Sequence, residues 1–118
     1  MKKDTIIIEG RRVVVTGYEV WMSAGEIAAL FDTTVAAVNN AVKRIWKRNV
    51  LRQGEHMQCV ELGAGRSVDK YSLAVVIDLS FRLDTRRTQQ LREWLLRRAV
   101  EQPKMQHIFF NPGNVYLN

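Results

Sequence analysis

Cysteine is nearly absent from the chain. Cys59 is the only one, so no internal disulfide can form, and a lone thiol suits a reducing compartment. Apolar runs are short: none approaches the roughly 20 residues needed to span a bilayer. Met1-Lys2-Lys3-Asp4-Thr5 leads into three consecutive isoleucines, too few for the apolar region of a signal peptide. A soluble cytoplasmic protein with no membrane partner is expected. Histidine is also scarce, with His56 and His107 the only two. His56 and Cys59 have a metal-like spacing, but a zinc site needs about four ligands. No metal or other cofactor is therefore expected, and Cys59 reads as a small buried hydrophobe. No Ser-His-Asp or paired-carboxylate constellation can be assembled. Gly63 and Gly65 lack the Lys-Ser/Thr that would complete a phosphate loop. Enzymatic catalysis is not expected.

What is present is enough apolar surface for one core and an excess of positive charge. The chain has 118 residues, 47% hydrophobic and 25% charged, the size and composition of one globular domain. Lysine and arginine number 18 against 12 acids, for a formal charge of +6. Such an excess favours polyanions through long-range attraction and counterion release, and it does not by itself choose between nucleic acid and an anionic surface.

Ile6 to Val15 reads as two β-branched strands broken at Glu9-Gly10, a hairpin whose buried face the triple runs of Ile and Val leave open. At Ser23 the period changes. Glu26 follows three residues later in the capping-box arrangement, and Ile27, Leu30 and Phe31 form one apolar stripe. Asp32-Thr33-Thr34 ends this helix. Thr34 is a suitable N-cap for a second one, with Val38, Ala41, Val42 and Ile45 on its apolar side. Met57 to Leu62 and Ser67 to Tyr71 suit two strands joined by the four-residue turn Gly63-Ala64-Gly65-Arg66. Ser72 to Leu83 reads as a buried helix. Asp84 or Thr85 then caps a final helix with Leu91, Trp94, Leu95 and Ala99 inward and Arg86, Arg87, Gln90 and Arg97 outward, which Pro103 ends. A C-terminal hairpin about Asn111-Pro112-Gly113-Asn114 is expected. Trp21, Trp46 and Trp94 fit core packing better than base stacking.

The segment from Ser23 to Arg48 has the form of a helix-turn-helix, in which a second helix enters the major groove of DNA while the first braces it. The turn position usually wants glycine, and Asp32 is among the few other residues that tolerate positive φ. Small Ala28 sits where the helices should cross. A helical hairpin within an ordinary core would show the same apolar periods, so the exposed chemistry has to decide. Asn39 and Asn40 offer the donor-acceptor pair that matches adenine. Thr34, Val35 and Ala36 open the reading helix, and Val35 and Ala36 suit thymine methyls. Lys43, Arg44, Lys47 and Arg48 can reach phosphates. Arg66 is expected at the tip of a wing beside that helix.

Four separated stretches carry a resemblance to a known family. They are Val20-Trp21-Met22-Ser23 leading into Glu26-Ile27-Ala28-Ala29-Leu30-Phe31, then Lys43-Arg44-Ile45-Trp46, then Tyr71-Ser72-Leu73-Ala74-Val75-Val76-Ile77 with Phe81-Arg82-Leu83, and Arg86-Arg87-Thr88-Gln89-Gln90-Leu91-Arg92-Glu93-Trp94. In their order and spacing the chain resembles the bacterial RhuM family of virulence-associated, DNA-binding-like proteins. The resemblance implies a DNA-associated protein of mobile or horizontally acquired bacterial elements, with a final helical part similar to that of phage antirepressor domains. Asp32 stands where the family carries its turn glycine. Val35, Ala36, Ala37 and Asn40 stand where it usually has arginine and hydroxyl residues, and loss of such an arginine should lower affinity by roughly 1–3 kcal/mol.

The expected architecture is an α+β winged helix-turn-helix in a single domain spanning 1–118. It comprises an N-terminal hairpin (1–19), the winged helix-turn-helix (20–71), a helical part (72–101) and a C-terminal tail or hairpin (102–118). The expected function is DNA binding by a transcriptional regulator. The alternative is a protein-interaction module that keeps the fold without reading DNA. A homodimer on double-stranded DNA is expected, with Phe109, Phe110 and Tyr116 as candidate interface residues.

Overall fold

Ser23 and Glu26 start the first helix by satisfying two amides reciprocally. The Ser23 hydroxyl accepts from the Glu26 amide at 3.2 Å, and the Glu26 carboxylate accepts from the Ser23 amide at 2.9 Å. In this structure, a computed structural model that describes residues 4–10, 12–17 and 19–101, that capping box opens α1 (Ala24–Phe31). Asp32 closes it at φ 57°, with its amide turned back to Ala28 and Ala29. Two residues later the Thr34 hydroxyl accepts from the Ala37 amide at 3.1 Å and begins α2 (Val35–Arg48). Asn49 ends α2 in the same left-handed region, at φ 59°.

The two helices bury complementary stripes. Ile27 and Phe31 of α1 and Val38, Ala41, Val42 and Ile45 of α2 all lie in the core, and Ala28 is buried as well. Burying each large side chain contributes about 1.5–3 kcal/mol, well above the propensity differences that favour the helices in isolation.

Seven further elements complete the frame around that pair, and an eighth is a single turn. β1 (Ile6–Glu9) and β2 (Arg12–Val15) form the expected N-terminal hairpin, with Ile6 facing Val15 and Glu9 facing Arg12. The side that the sequence left open is settled by Ile6 and Ile8, which are buried, while Ile7 faces outward. β3 (Trp21–Ser23), β4 (Met57–Gly63) and β5 (Arg66–Ser72) make an antiparallel sheet in the order β3-β5-β4. The one-turn α3 (Gln53–His56), which the sequence reading did not foresee, leads into β4. α4 (Leu73–Ser80) and α5 (Arg86–Val100) follow. The architecture is mixed α+β, with two small antiparallel sheets and five helices among the described residues.

The end of α4 is built by arginines. Arg92 donates to the carbonyls of Ser80 (2.7 Å) and Leu83 (3.1 Å), and Arg82 pairs with Asp78 at 2.8 Å. Thr85 caps α5 in a capping box with Thr88. Thr88 and Ser80 are the buried polar residues described, and both hydroxyls are satisfied: Thr88 donates to the Thr85 carbonyl (2.9 Å) and Ser80 to that of Ile77 (2.6 Å). Their burial therefore carries no unpaired-donor penalty.

Several expectations are corrected. The β4–β5 turn has two residues, not four, because Gly63 and Arg66 pair and leave Ala64 (φ 54°) and Gly65 (φ 73°) between them. Arg66 thus opens β5 and does not sit at the tip. α4 stops at Ser80 instead of Leu83, where the arginine-bonded turn takes over. Ala99 is exposed, because α5 leaves the core beyond Leu95, and buried Thr88 takes the inward position at its start. Cys59 is exposed, since β4 projects beyond the core. Trp46 and Trp94 pack against the core as expected, partly buried. Pro103, the C-terminal hairpin and the aromatic interface residues lie outside the described residues.

The crossing of α1 and α2 yields a stability test. Removing the cap by Thr34→Ala should cost about 1 kcal/mol, and overfilling the contact by Ala28→Leu about 1–3 kcal/mol. Both are read as lower urea midpoints with an unchanged slope. An unaltered midpoint for Ala28→Leu would show that the helices do not approach closely there.

Candidate nucleic-acid interface

The outer side of α2 is built by its inner side. At 100° per residue, the buried stripe of Val38, Ala41, Val42 and Ile45 forces Ala36, Asn40, Lys43 and Lys47 into one row about 60° wide on the opposite side, flanked by Asn39 and Arg44. Thr34, Val35, Ala36, Asn39, Asn40, Lys43, Arg44 and Lys47 are all exposed, as is Arg66 on β5. The row from Ala36 to Lys47 runs about 16 Å along the helix axis, more than the roughly 12 Å width of a major groove.

Charge on this surface is unopposed. From Thr33 to Gly54 the chain carries Lys43, Arg44, Lys47, Arg48 and Arg52 and no acid. Among the described residues none of these cations forms an ion pair. Lys47 and Arg48 sit in the last turn of α2, where they also complement the helix dipole. That role stabilises the helix end and leaves the charges in water.

α5 is richer in arginine, yet most of its cations are engaged in the fold. Arg87 donates to the Leu30 carbonyl at the end of α1 (3.4 Å). Arg92 holds the end of α4 and lies 3.5 Å from Asp84. The Arg98 guanidinium stacks 4.8 Å above the Trp94 ring. Arg86 and Arg97 share their exposed side with Glu93. Three of the five arginines of α5 are thus internal connectors, whereas among the described residues the side chains of the α2 cations form no hydrogen bond or ion pair.

The β4–β5 hairpin supplies a second surface. Its base is anchored by Tyr71, which is buried and faces Trp46 of α2 with ring centroids 6.3 Å apart. Toward the tip nearly every side chain is exposed on both faces, and the facing residues Val60 and Val68 are only half-buried. A two-stranded ribbon wet on both faces contributes little to the core. It extends from the body and carries Arg66 next to its turn. Lys70, nearer the base, lies 3.8 Å from Glu26 of α1 and ties the hairpin to that helix.

His56 is engaged within the fold. The Nδ1 atom of His56 lies 2.8 Å from the hydroxyl of Ser72, the same hydroxyl that accepts from the Val75 amide to cap α4. This bond connects the start of β4 to the start of α4. Among the described residues no three His, Cys, Asp or Glu side chains come together as a metal-binding group, and no helix is long and apolar enough to cross a membrane.

All nine residues singled out from the sequence as DNA contacts are on the surface. Eight of them share α2 or its cap, and Arg66 lies apart on the hairpin. Arg52, just before α3, was missed. The signal that finds it is the absence of acids from Thr33 to Gly54, not any helical period.

Burial holds the Tyr71 phenol above the usual tyrosine value of 10.0, and the nearby Asp69 carboxylate raises it further. The unfolded chain releases this proton near its ordinary value while the folded chain keeps it. Stability from this group should therefore fall as pH rises through about 10 toward the folded value. Tyr71→Phe should lose less stability than the natural chain between pH 9 and 11, measured by urea unfolding; parallel curves would show that the phenol is not held protonated by the fold. Set beside known proteins, the chain has no match to a family model, a curated protein or a solved structure.

Proposed function

We propose that the chain is a winged helix-turn-helix protein that binds double-stranded DNA, with α2 as the helix that enters the major groove and the β4–β5 hairpin as its wing. The observation that carries this reading is the row of cations on α2 that, among the described residues, form no ion pair, whereas three of the five arginines of α5 are engaged within the fold. A solvated face needs no such segregation, whereas neutralising phosphates requires cations free to leave water for a polyanion. The element order also supports it: a strand, two helices joined by a three-residue turn, then a hairpin that pairs with the first strand.

In this reading Lys43, Arg44 and Lys47 dock on phosphates along the groove, and Arg66 meets the adjoining backbone or minor groove. Thr34, Val35, Ala36, Asn39 and Asn40 face base edges. The protein acts without catalysis or cofactor, as a regulator of a mobile or horizontally acquired bacterial element in keeping with its resemblance to the RhuM family. It works as a homodimer in the cytoplasm, which would place two copies of α2 in successive grooves. One observation favours the second reading, a protein-interaction module: Val35 is 46% exposed at the head of α2, an apolar group that a protein partner could also cover.

Salt-dependent binding to mixed-sequence duplex decides between them. Each phosphate contact contributes about 0.9 to the slope of log affinity against log salt, so Lys43→Ala/Lys47→Ala should flatten that slope by about 1–2. Arg86→Ala/Arg97→Ala on α5 should leave it unchanged. If the natural chain binds no duplex at low salt, the DNA reading fails. If the α5 variant flattens the slope and the α2 variant does not, the wrong surface has been assigned.

A further inference from the structure

We infer that α2 selects A·T over G·C base pairs, a specificity that rests on the DNA-binding role proposed above and adds the class of sequence it selects. The first two turns of α2 offer Val35, Ala36, Asn39 and Asn40 on their exposed side. Among the described residues neither asparagine side chain has a hydrogen-bond partner. In a helix-turn-helix it is the N-terminal part of the second helix that touches base edges.

Each base edge asks for different chemistry. Adenine presents the N7 acceptor and the N6 amino donor, which one asparagine carboxamide answers with its own donor and acceptor. Thymine presents a methyl group, which Ala36 and Val35 can cover. Guanine presents two acceptors and calls for an arginine or lysine, yet the first cation on α2 is Lys43, in its third turn. Cytosine presents a donor and calls for a carboxylate, yet there is no acid between Asp32 and Glu55. Apart from the Thr34 hydroxyl, which can serve any base, both partners of a G·C pair thus go unanswered where the helix enters the groove, while both partners of an A·T pair are answered.

The spacing is compatible with one reading row. Ala36 and Asn40 are one helical turn apart on the same side, a rise of about 6 Å, or roughly two base-pair steps at 3.4 Å each. Asn39 and Val35 are a second such pair on the flank. The cationic half then begins at Lys43, so the helix divides into a neutral reading half and a phosphate-anchoring half. This division explains how small reading side chains can coexist with a strongly basic helix: affinity comes from one half and selection from the other.

The test edits the DNA, so the protein fold is not at risk. The full chain is titrated onto duplexes of alternating A and T, onto duplexes of alternating G and C, and onto the A·T duplex with uracil in place of thymine or 7-deazaadenine in place of adenine. The A·T duplex should bind about tenfold or more tightly than the G·C duplex. Uracil, which lacks only the methyl group, should weaken binding by about fourfold per covered methyl. 7-Deazaadenine, which lacks the N7 acceptor, should weaken it by several-fold, and Asn39→Ala/Asn40→Ala should abolish the 7-deazaadenine effect. Both edits lie in the major groove, so they are not mimicked by contacts of the hairpin in the minor groove. Equal affinity for the A·T and G·C duplexes, or indifference to both edits, would overturn A·T reading while a steep salt slope left DNA binding standing. Absence of any duplex binding would overturn both.

Discussion

The placement of α2 depends on three residues that connect it to α1. Asp32 takes a left-handed conformation, φ 57° and ψ 52°, and so turns the chain sharply enough for Thr34 to start a new helix two residues later. An aspartate pays less strain there than most side chains would, because its short carboxylate can interact with nearby backbone. With that turn made, Ile27 and Phe31 meet Val38, Ala41, Val42 and Ile45, and apolar burial fixes the rotation of α2 about its own axis. A rotation of one residue would bring Ala36 or Lys43 toward the core and expose Val42 or Ile45. The same contacts that stabilise the fold therefore aim the cationic row outward.

Charge is allocated along the same lines. Arg82, Arg87 and Arg92 bind carbonyls or carboxylates where helices end, and α1, which carries no basic residue in its own last turn, receives Arg87 from α5 at the Leu30 carbonyl. Positive charge in this part of the molecule completes helix ends. On α2 the inner stripe is fully apolar, so its cations can only sit outside. A net charge of +6 is thus a poor guide to the location of a polyanion surface, because the arginines that contribute to it are divided between holding helices together and facing solvent.

Local signals account for what was legible in the sequence. Ser23 with Glu26, Thr34 as a cap, Gly10 in a hairpin and the period of α2 all depend on interactions within a few residues, and each was readable from order alone. Asp32 was legible for the same reason, since its conformation is a property of one residue. Cys59 and Ala99 were misread because burial is decided by what another segment covers: β4 outruns the core, and α5 does so after Leu95. Thr88 was missed because its hydroxyl, satisfied by Thr85, lets a polar residue take an apolar position. The two-residue turn was obscured by Ala64, whose φ of 54° a sequence reading would assign to glycine, asparagine or aspartate before alanine. For the interface, exposure of the candidate residues followed from helical period, but the contrast between free and engaged cations required knowing that Arg87 reaches across 57 residues to Leu30.

The hairpin is held by the same pair of helices. Tyr71 on β5 is buried against Trp46 of α2, and Lys70 beside it reaches Glu26, the capping residue of α1. The base of the hairpin is consequently coupled to both helices of the pair, whereas the outer half beyond Val60 and Val68 has little to hold it. The aromatic contact between Tyr71 and Trp46 joins the hairpin to the C-terminal half of α2, next to the cations and away from the small side chains at its start.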